Sequence, residues 1–221
     1  MKRIPAFLLL LLPVSIFCQQ NNDQDKSQKK DKPPHHSIGI GLKAGLNFAN
    51  VTNASSINSS SHTGFHAGVF LAPESKSILG SRTELLFSRQ GYNYGTGDNN
   101  GTVKLDYLML TQMMAINITK FVQIQFGAHT AFLLNAKADS SSQVSTGNPS
   151  ADKMLSYYNR FDYGFGGGVE IHPVLGLIIG ARYTMSLSQL YKDALSGTNP
   201  SFAPSIDLKN NVVQIFTGYR F

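Results

Sequence analysis

Seven charged residues sit where a strand-like alternation would turn them away from an apolar face: Lys43, Arg82, Glu84, Asp162, Glu170, Arg182 and Arg220. Lys43 lies between Leu42 and Ala44, Glu170 between Val169 and Ile171, and Arg182 between Ala181 and Tyr183. Successive side chains of a strand point to opposite faces, so these charges share a face with glycines and short polar residues. Carboxylates and cations gathered on one face could act as general acid and base, relay protons, or neutralise one another. Counting along the strands puts Lys43, Glu84 and Arg182 at one height and Arg82, Glu170 and Arg220 nearer one end. Buried charges must be paired. The pattern therefore predicts a Lys43–Glu84–Arg182 cluster and a second cluster around Glu170.

Other chemistry is less well supported. His129 is the best candidate general base, with Ser88 and Asp162 as neighbours at a similar height, but no motif fixes the three as a triad. His35 and His36 adjoin one another in a polar stretch with no cysteine or third histidine nearby, and read as solvated rather than as metal ligands. Nothing resembles a nucleotide-binding loop or a redox motif. No cofactor and no metal are implied.

These residues must be positioned by a framework, and composition limits what it can be. Charged residues make up 14% of the chain, below the roughly 25% usual for soluble domains. The 20 glycines, 14 phenylalanines and 9 tyrosines, with no tryptophan, suit twisted sheet with tight turns. Residues 1–18, MKRIPAFLLLLLPVSIFC, read as a secretory signal peptide: Lys2 and Arg3 form its basic start, and the apolar run is too short for a membrane-spanning helix. Cleavage is expected after Cys18. The rival is lipid attachment at Cys18, but bulky Phe17 precedes it where a small residue is expected. Losing Lys2 and Arg3 leaves 17 basic residues against 13 acidic, so the balance falls from +6 to +4. That mild charge on an exported chain does not fit a nucleic-acid partner. Without its one cysteine the mature chain can form no disulfide and needs another source of stability. Residues 19–37 are polar and lack apolar periodicity, and are expected to be a disordered periplasmic linker.

From residue 38 to 221 the alternation recurs. In IGIGLKAGLNF, Ile38, Ile40, Leu42, Ala44, Leu46 and Phe48 oppose glycines, Lys43 and Asn47. Similar stripes run through 64–71, 81–90, 121–134, 161–171, 175–187 and 213–221. Residues 104–116 are the weak member: Tyr107, Met109 and Met113 fit an apolar stripe, but Leu108, Leu110 and Met114 make the other face apolar too. This gives eight candidate strands. The connections alternate strictly. Residues 49–62, 91–103, 135–159 and 188–207 are long and polar, whereas 72–77, 117–120 and 172–174 are short. Such alternation predicts an antiparallel up-and-down sheet with tight turns at one end and loops at the other.

Three features predict that the apolar stripe faces outward into lipid. Glycines and short side chains crowd the polar stripe, as they would inside a narrow barrel. Aromatic residues gather near strand ends: Phe121, Tyr219 and Phe221 at the short-turn end, and Phe48, Tyr92, Tyr94 and Phe132 toward the other, as in an interfacial girdle. An exported chain with no later helix-length apolar run can cross a membrane only as a closed barrel. The fold expected for 38–221 is therefore all-β, an eight-stranded antiparallel transmembrane barrel filled by its own side chains. In that setting the seven interior charges read as a structural salt-bridge plug rather than a catalytic site.

Several segments resemble one known family in order along the chain: GIGLKAGLNFANV, ELLFSRQGYNY, VKLDYLML, IQFGAHTAFLL, FDYGFGGGVEI, GARYTMSLSQL and the closing NNVVQIFTGYRF. The chain resembles the PorT-like outer-membrane β-barrel family of Gram-negative bacteria. The resemblance implies an eight-stranded barrel in the outer membrane and a terminal aromatic, here Phe221, read by the barrel assembly machinery. The fourth strand departs from the family pattern, with Thr111 and Gln112 where a proline often stands, which puts the local bulge or edge geometry there in question. The function expected is non-enzymatic: a structural or interaction role with outer-membrane lipid around the wall. A surface partner would be met through 49–62, 91–103, 135–159 and 188–207, with Tyr157, Tyr158 and Arg160 as an adhesive patch. The alternatives are a lipid-modifying enzyme and a narrow solute channel.

Overall fold

The alternation becomes eight strands: β1 (Ile38–Thr52), β2 (Ser60–Pro73), β3 (Leu79–Thr96), β4 (Asn99–Asn117), β5 (Val122–Ser140), β6 (Phe161–Ile171), β7 (Leu177–Ser186) and β8 (Lys209–Arg220). The computed structural model describes residues 38–52, 60–73, 78–96, 99–140, 158–190 and 209–221. The expected signal segment 1–18 and linker 19–37 lie outside the described residues, as do most of the connections 49–62, 135–159 and 188–207. Each strand pairs antiparallel with its sequence neighbours, and β1 pairs with β8 to close the barrel. The seam runs from Gly41 opposite Arg220 to Thr52 opposite Lys209, and the Phe221 amide extends it by donating to the Ile40 carbonyl at 2.9 Å. Closure leaves no strand edge, so the ladder groups pair with one another rather than with water.

Short turns join the strands at one end. After β4, the Thr119 hydroxyl accepts from the amides of Phe121 and Val122 at 3.1 and 3.0 Å, a side-chain substitute for a backbone turn bond. Before β7, Gly176 adopts φ 81°, which only glycine takes without steric cost, and its carbonyl accepts from the Arg220 amide at 2.7 Å.

The two faces of the wall differ as the alternation requires. Phe126 (45% exposed), Phe165 (57%) and Ile179 (41%) point away from the axis, with Leu42, Leu46, Phe65, Val69 and Ile215. An apolar belt of this extent on every strand needs hydrocarbon around it. Thr83 and Gln112 interrupt it, and they bond to each other: the hydroxyl donates to the amide oxygen at 2.6 Å. Inside, glycine makes room. A Cβ on Gly41 would stand 2.1 Å from the Phe70 ring, and one on Gly180 would stand 2.6 Å from the Phe216 ring. Those two rings fill the interior at the short-turn end with Ala72 and Ile178.

Three expectations are corrected. Tyr107, Met109 and Met113 of β4 point inward and are buried, while Leu108, Leu110 and Met114 form the outer stripe. The inner stripe there is apolar because Leu105, Tyr107 and Met109 join Val51, Leu86, Tyr92, Val103, Leu133, Tyr158 and Leu190 in a buried cluster toward the long-loop end. Tyr92 and Tyr158 belong to that cluster, so Tyr92 is not in the aromatic girdle and Tyr158 is not on a surface patch. Tyr157 lies outside the described residues, whereas Arg160 is exposed. Residues 91–103 are mostly strand rather than loop, because β3 and β4 remain paired as far as Thr96 opposite Asn99. The question raised at Thr111 and Gln112 is settled by pairing that is regular there. The register shift lies instead at Asp106 and Tyr107, opposite Asn135 and Leu133, where Leu134 is the extra residue of a bulge.

A lipid-facing wall sets a direct test. Phe126→Arg should lower unfolding free energy in lipid vesicles by about 2–4 kcal/mol, the cost of a cation near the middle of a barrel's lipid face. Urea titration of folded and refolding protein would measure it. A change under about 0.5 kcal/mol, ordinary for a water-exposed surface site, would contradict the orientation.

Candidate functional site

Register explains how a narrow interior holds large charged side chains. Lys43 of β1 faces Gly68 and Gly218 across its two ladders, Arg182 of β7 faces Gly168, and Glu170 of β6 faces Gly180. Each long side chain therefore lies over a neighbour that has none. The side chains meet on Glu84 of β3, which is 0% exposed. Lys43 Nζ reaches Glu84 Oε2 at 3.1 Å, while Arg182 donates through both terminal nitrogens, at 2.7 Å to Oε2 and 2.9 Å to Oε1. The fork fits the carboxylate plane in the bidentate geometry that makes arginine pairs strong. Arg82 continues the network, 3.9 Å from Glu84 and 2.5 Å from Glu170, and His172 Nε2 lies 3.5 Å from the other Glu170 oxygen.

Three cations against two carboxylates leave one positive charge in excess, and aromatic rings take up part of it. Lys43 Nζ stands 3.6 Å from the Phe216 centroid, Arg182 lies 5.5 Å from the same ring, and Arg82 lies 4.7 Å from Phe70. A cation over a desolvated ring face gains roughly 2 kcal/mol or more. Amides then carry the network toward the short-turn rim. Arg182 donates to Gln125 at 2.9 Å, Gln125 to Gln123 at 2.8 Å, and Gln123 to Asn117 at 2.7 Å.

A second, neutral network lies on the other side of Glu84. Asn47 donates to Ser88 Oγ and the Arg89 carbonyl, both at 2.9 Å. Its amide oxygen meets His66 Nδ1 at 2.8 Å and accepts from Gln214 at 3.1 Å. Gln90 donates to Ser88 at 2.9 Å and accepts from Asn210. Above this layer the buried Tyr92, Val103, Leu105 and Tyr107 complete the filling.

The structure thus brings five of the seven sequence-chosen charges, Lys43, Arg82, Glu84, Glu170 and Arg182, into one connected network rather than two clusters. Asp162 is buried elsewhere, near the long-loop end, accepting from Ser186 at 2.6 Å and from Ser188. Arg220 is half-buried at the short-turn rim, where its stem occupies the space a Cβ on Gly39 would need. The candidate catalytic trio is not assembled. The Ser88 hydroxyl accepts from Asn47 and Gln90, Asp162 accepts from Ser186 and Ser188, and no His129–Ser88 hydrogen bond joins them. Among the described residues no group of three or more His, Cys, Asp or Glu is placed to hold a metal ion. Sequence reasoning missed His172, the ring–cation contacts and the Asn47 network. Only the last carried a signal: Asn47, His66, Ser88, Gln90 and Gln214 all fall on the inward parity of strands adjacent in the sheet.

The sequence profile of the outer membrane protein beta-barrel domain matches residues 19–192. The chain belongs to that family. It lies in the outer membrane of Gram-negative cells, where barrels of this kind place short turns toward the periplasm and long loops outside. No curated protein sequence matches the chain. Among solved structures it is similar to Ail, the attachment invasion locus protein of Yersinia pestis, at 16% identity and TM-score 0.45, covering 83% of this chain and 99% of that one. It is similar to Neisserial surface protein A at 11% identity and TM-score 0.46, covering 83% and 97%. OprG from Pseudomonas aeruginosa shows 11% identity and TM-score 0.43, covering 85% and 97%.

In this outer-membrane barrel, Glu84 is the residue whose loss should cost most. Glu84→Ala leaves two buried cations without their shared carboxylate and should destabilise by about 3–5 kcal/mol. Arg220→Ala, at the rim, should change stability by no more than about 0.5 kcal/mol. Equilibrium unfolding of both variants in the same vesicles checks the contrast.

Proposed function

We propose that this protein is a non-catalytic outer-membrane barrel with a closed interior, serving a structural or interaction role through what it presents outside. The observation that carries this reading is the burial of the interior lining. Asn47, Glu84 and Ser88 are 0% exposed and Gln125 is 1% exposed, at the heights where a water-filled channel would have to wet them. Their polar groups bond to one another rather than being aimed into a cavity, which supports a plug over a conduction path.

Outward display follows from geometry. β3, β4 and β5 are 18, 19 and 19 residues long, whereas β6 and β7 have 11 and 10, so one side of the wall extends well beyond the other. A surface partner would meet that rim and the connections at 49–62, 135–159 and 188–207. Phe221 is 75% exposed with its ring edge-on to Tyr219 at 5.3 Å, while its amide is held by β1. An exposed aromatic ring at the end of the closing strand fits recognition by the barrel assembly machinery. The PorT-like resemblance is a further proposal about which branch of the family this is, and no secretion role is attached to it.

Purified mature protein in planar bilayers should show no steady openings of porin size. Sustained conductance that scales with protein added would overturn the closed interior. Phe221→Ala should lower the outer-membrane yield of heat-modifiable protein several-fold without changing the mobility of the part that does assemble. An unchanged yield would remove the assembly reading.

A further inference from the structure

We propose that the lipid-facing wall of β3 and β4 binds a second copy of this chain within the membrane, joined by reciprocal hydrogen bonds between the two Gln112 amides. The contact is separate from the outward display above and rests on the apolar stripe facing lipid. Gln112 is exposed and stands in the middle of that stripe on β4. Leu108 and Leu110 lie toward the surface end, and Met114 and Ile116 toward the short turns. Thr83 of β3 is directly opposite.

The Thr83 hydroxyl donates to the Gln112 amide oxygen at 2.6 Å. That bond uses one of the oxygen's two lone pairs and neither of the two N–H groups on Nε2. Among the described residues no group accepts from Gln112 Nε2. Acyl chains offer no acceptor at this depth, and an N–H left unpaired in hydrocarbon is costly. Thr217, half-buried on the same outer face of β8, solves the problem within its own wall: its hydroxyl donates to the Ile178 carbonyl at 3.1 Å. The wall gives Gln112 Nε2 no such outlet.

A primary amide is its own complement, which selects a second copy over another partner. Both copies enter the membrane the same way up, so a two-fold axis relating them runs along the membrane normal. A residue on that axis meets its counterpart at identical depth. There Nε2 of each Gln112 donates to the remaining lone pair of the other's Oε1, making two bonds that lipid cannot supply. Any other partner would have to bring an acceptor to that depth, whereas a second copy brings one by symmetry. Side-chain size permits the approach. Ser81 and Thr83 are short, so the walls can come close, and exposed Leu85, Leu110 and Met114 pack around the amide pair.

The test uses the full mature chain folded in density-matched detergent micelles, where sedimentation equilibrium at varied protein-to-micelle ratio gives the dimer dissociation constant. Gln112→Leu should weaken the dimer about tenfold, the loss expected when amide bonds leave a membrane interface. Leucine suits a lipid-facing position, and heat-modifiable migration checks that the variant barrel closes. Gln112→Asn, which keeps the amide, should lie closer to wild type than the leucine variant does. In lipid vesicles a short bis-maleimide linker should join copies carrying Met114→Cys, and should join few carrying Ile215→Cys on the far wall. Adding Gln112→Leu to Met114→Cys should remove most of that cross-linking. The proposal is overturned if wild type stays monomeric at every ratio, if the leucine variant dimerises as tightly as wild type, or if Ile215→Cys cross-links as well as Met114→Cys. None of these results bears on the closed interior, which bilayer conductance reads.

Discussion

Glu84 is a single carboxylate at zero exposure on which Lys43 and Arg182 converge, with Arg82 close behind. A lone charge there would be prohibitive, and a lone cation equally so. Their mutual neutralisation lets an eight-stranded wall carry a buried, charged stripe on its inner face. The wall makes the cluster possible in return, because Gly68, Gly218, Gly168 and Gly180 stand where side chains would otherwise block Lys43, Arg182 and Glu170. Charge pairing and glycine placement are thus one constraint seen from two sides.

The filling is layered along the axis. Phe70 and Phe216 lie toward the periplasmic end, the ion network sits among and above them, the Asn47 amide network follows, and the Tyr92–Tyr107–Leu105 cluster lies toward the surface. Phe216 serves double duty, packing with Phe70 at the periplasmic end and taking Lys43 and Arg182 against its face. A buried ion network adds little net stability over an apolar filling. Its effect is specificity, because a one-residue slip of β3 or β7 would carry Glu84 or Arg182 to the lipid side. An exported chain with no disulfide thereby gains a register lock.

How much of this could be read from the sequence depended on contrast between faces. In β6, Phe161, Tyr163 and Phe165 against Asp162, Gly164 and Gly166 leave one choice, and the structure follows it. In β4 both faces are apolar, and a period of two says that faces exist without saying which is inside. Tyr107 and Met109 belong inside because they meet Leu133, Leu86 and Tyr92 there, a fact of long-range packing that one strand cannot carry. The polar run 91–103 reads as loop because Gly, Asn and Asp favour turns, yet backbone pairing continues through it, as between Asn93 and Thr102. Strand parity and height were enough to group Lys43, Glu84 and Arg182. The Arg82 bridge that merges the two expected clusters depends on side-chain reach across the lumen, which spacing does not encode. Asp162 shares the parity of the network but not its height, and so falls to Ser186 and Ser188 instead.

The central claim is that the outward stripe lies in hydrocarbon and the inward stripe in a dry, packed interior. The chain has one cysteine, Cys18, outside the barrel strands, so single cysteines can be placed freely once it is replaced. Spin labels at successive positions 123–132 of β5, in reconstituted vesicles, report collisions with oxygen and with a water-soluble nickel chelate. Oxygen collisions should rise at Ile124, Phe126, Ala128 and Phe132 and fall at Gln125, Gly127 and His129, with the nickel chelate low at both sets. High nickel accessibility at Gln125 and His129 would show a wet lumen, and oxygen maxima at those same positions would reverse the two faces; either result contradicts the account.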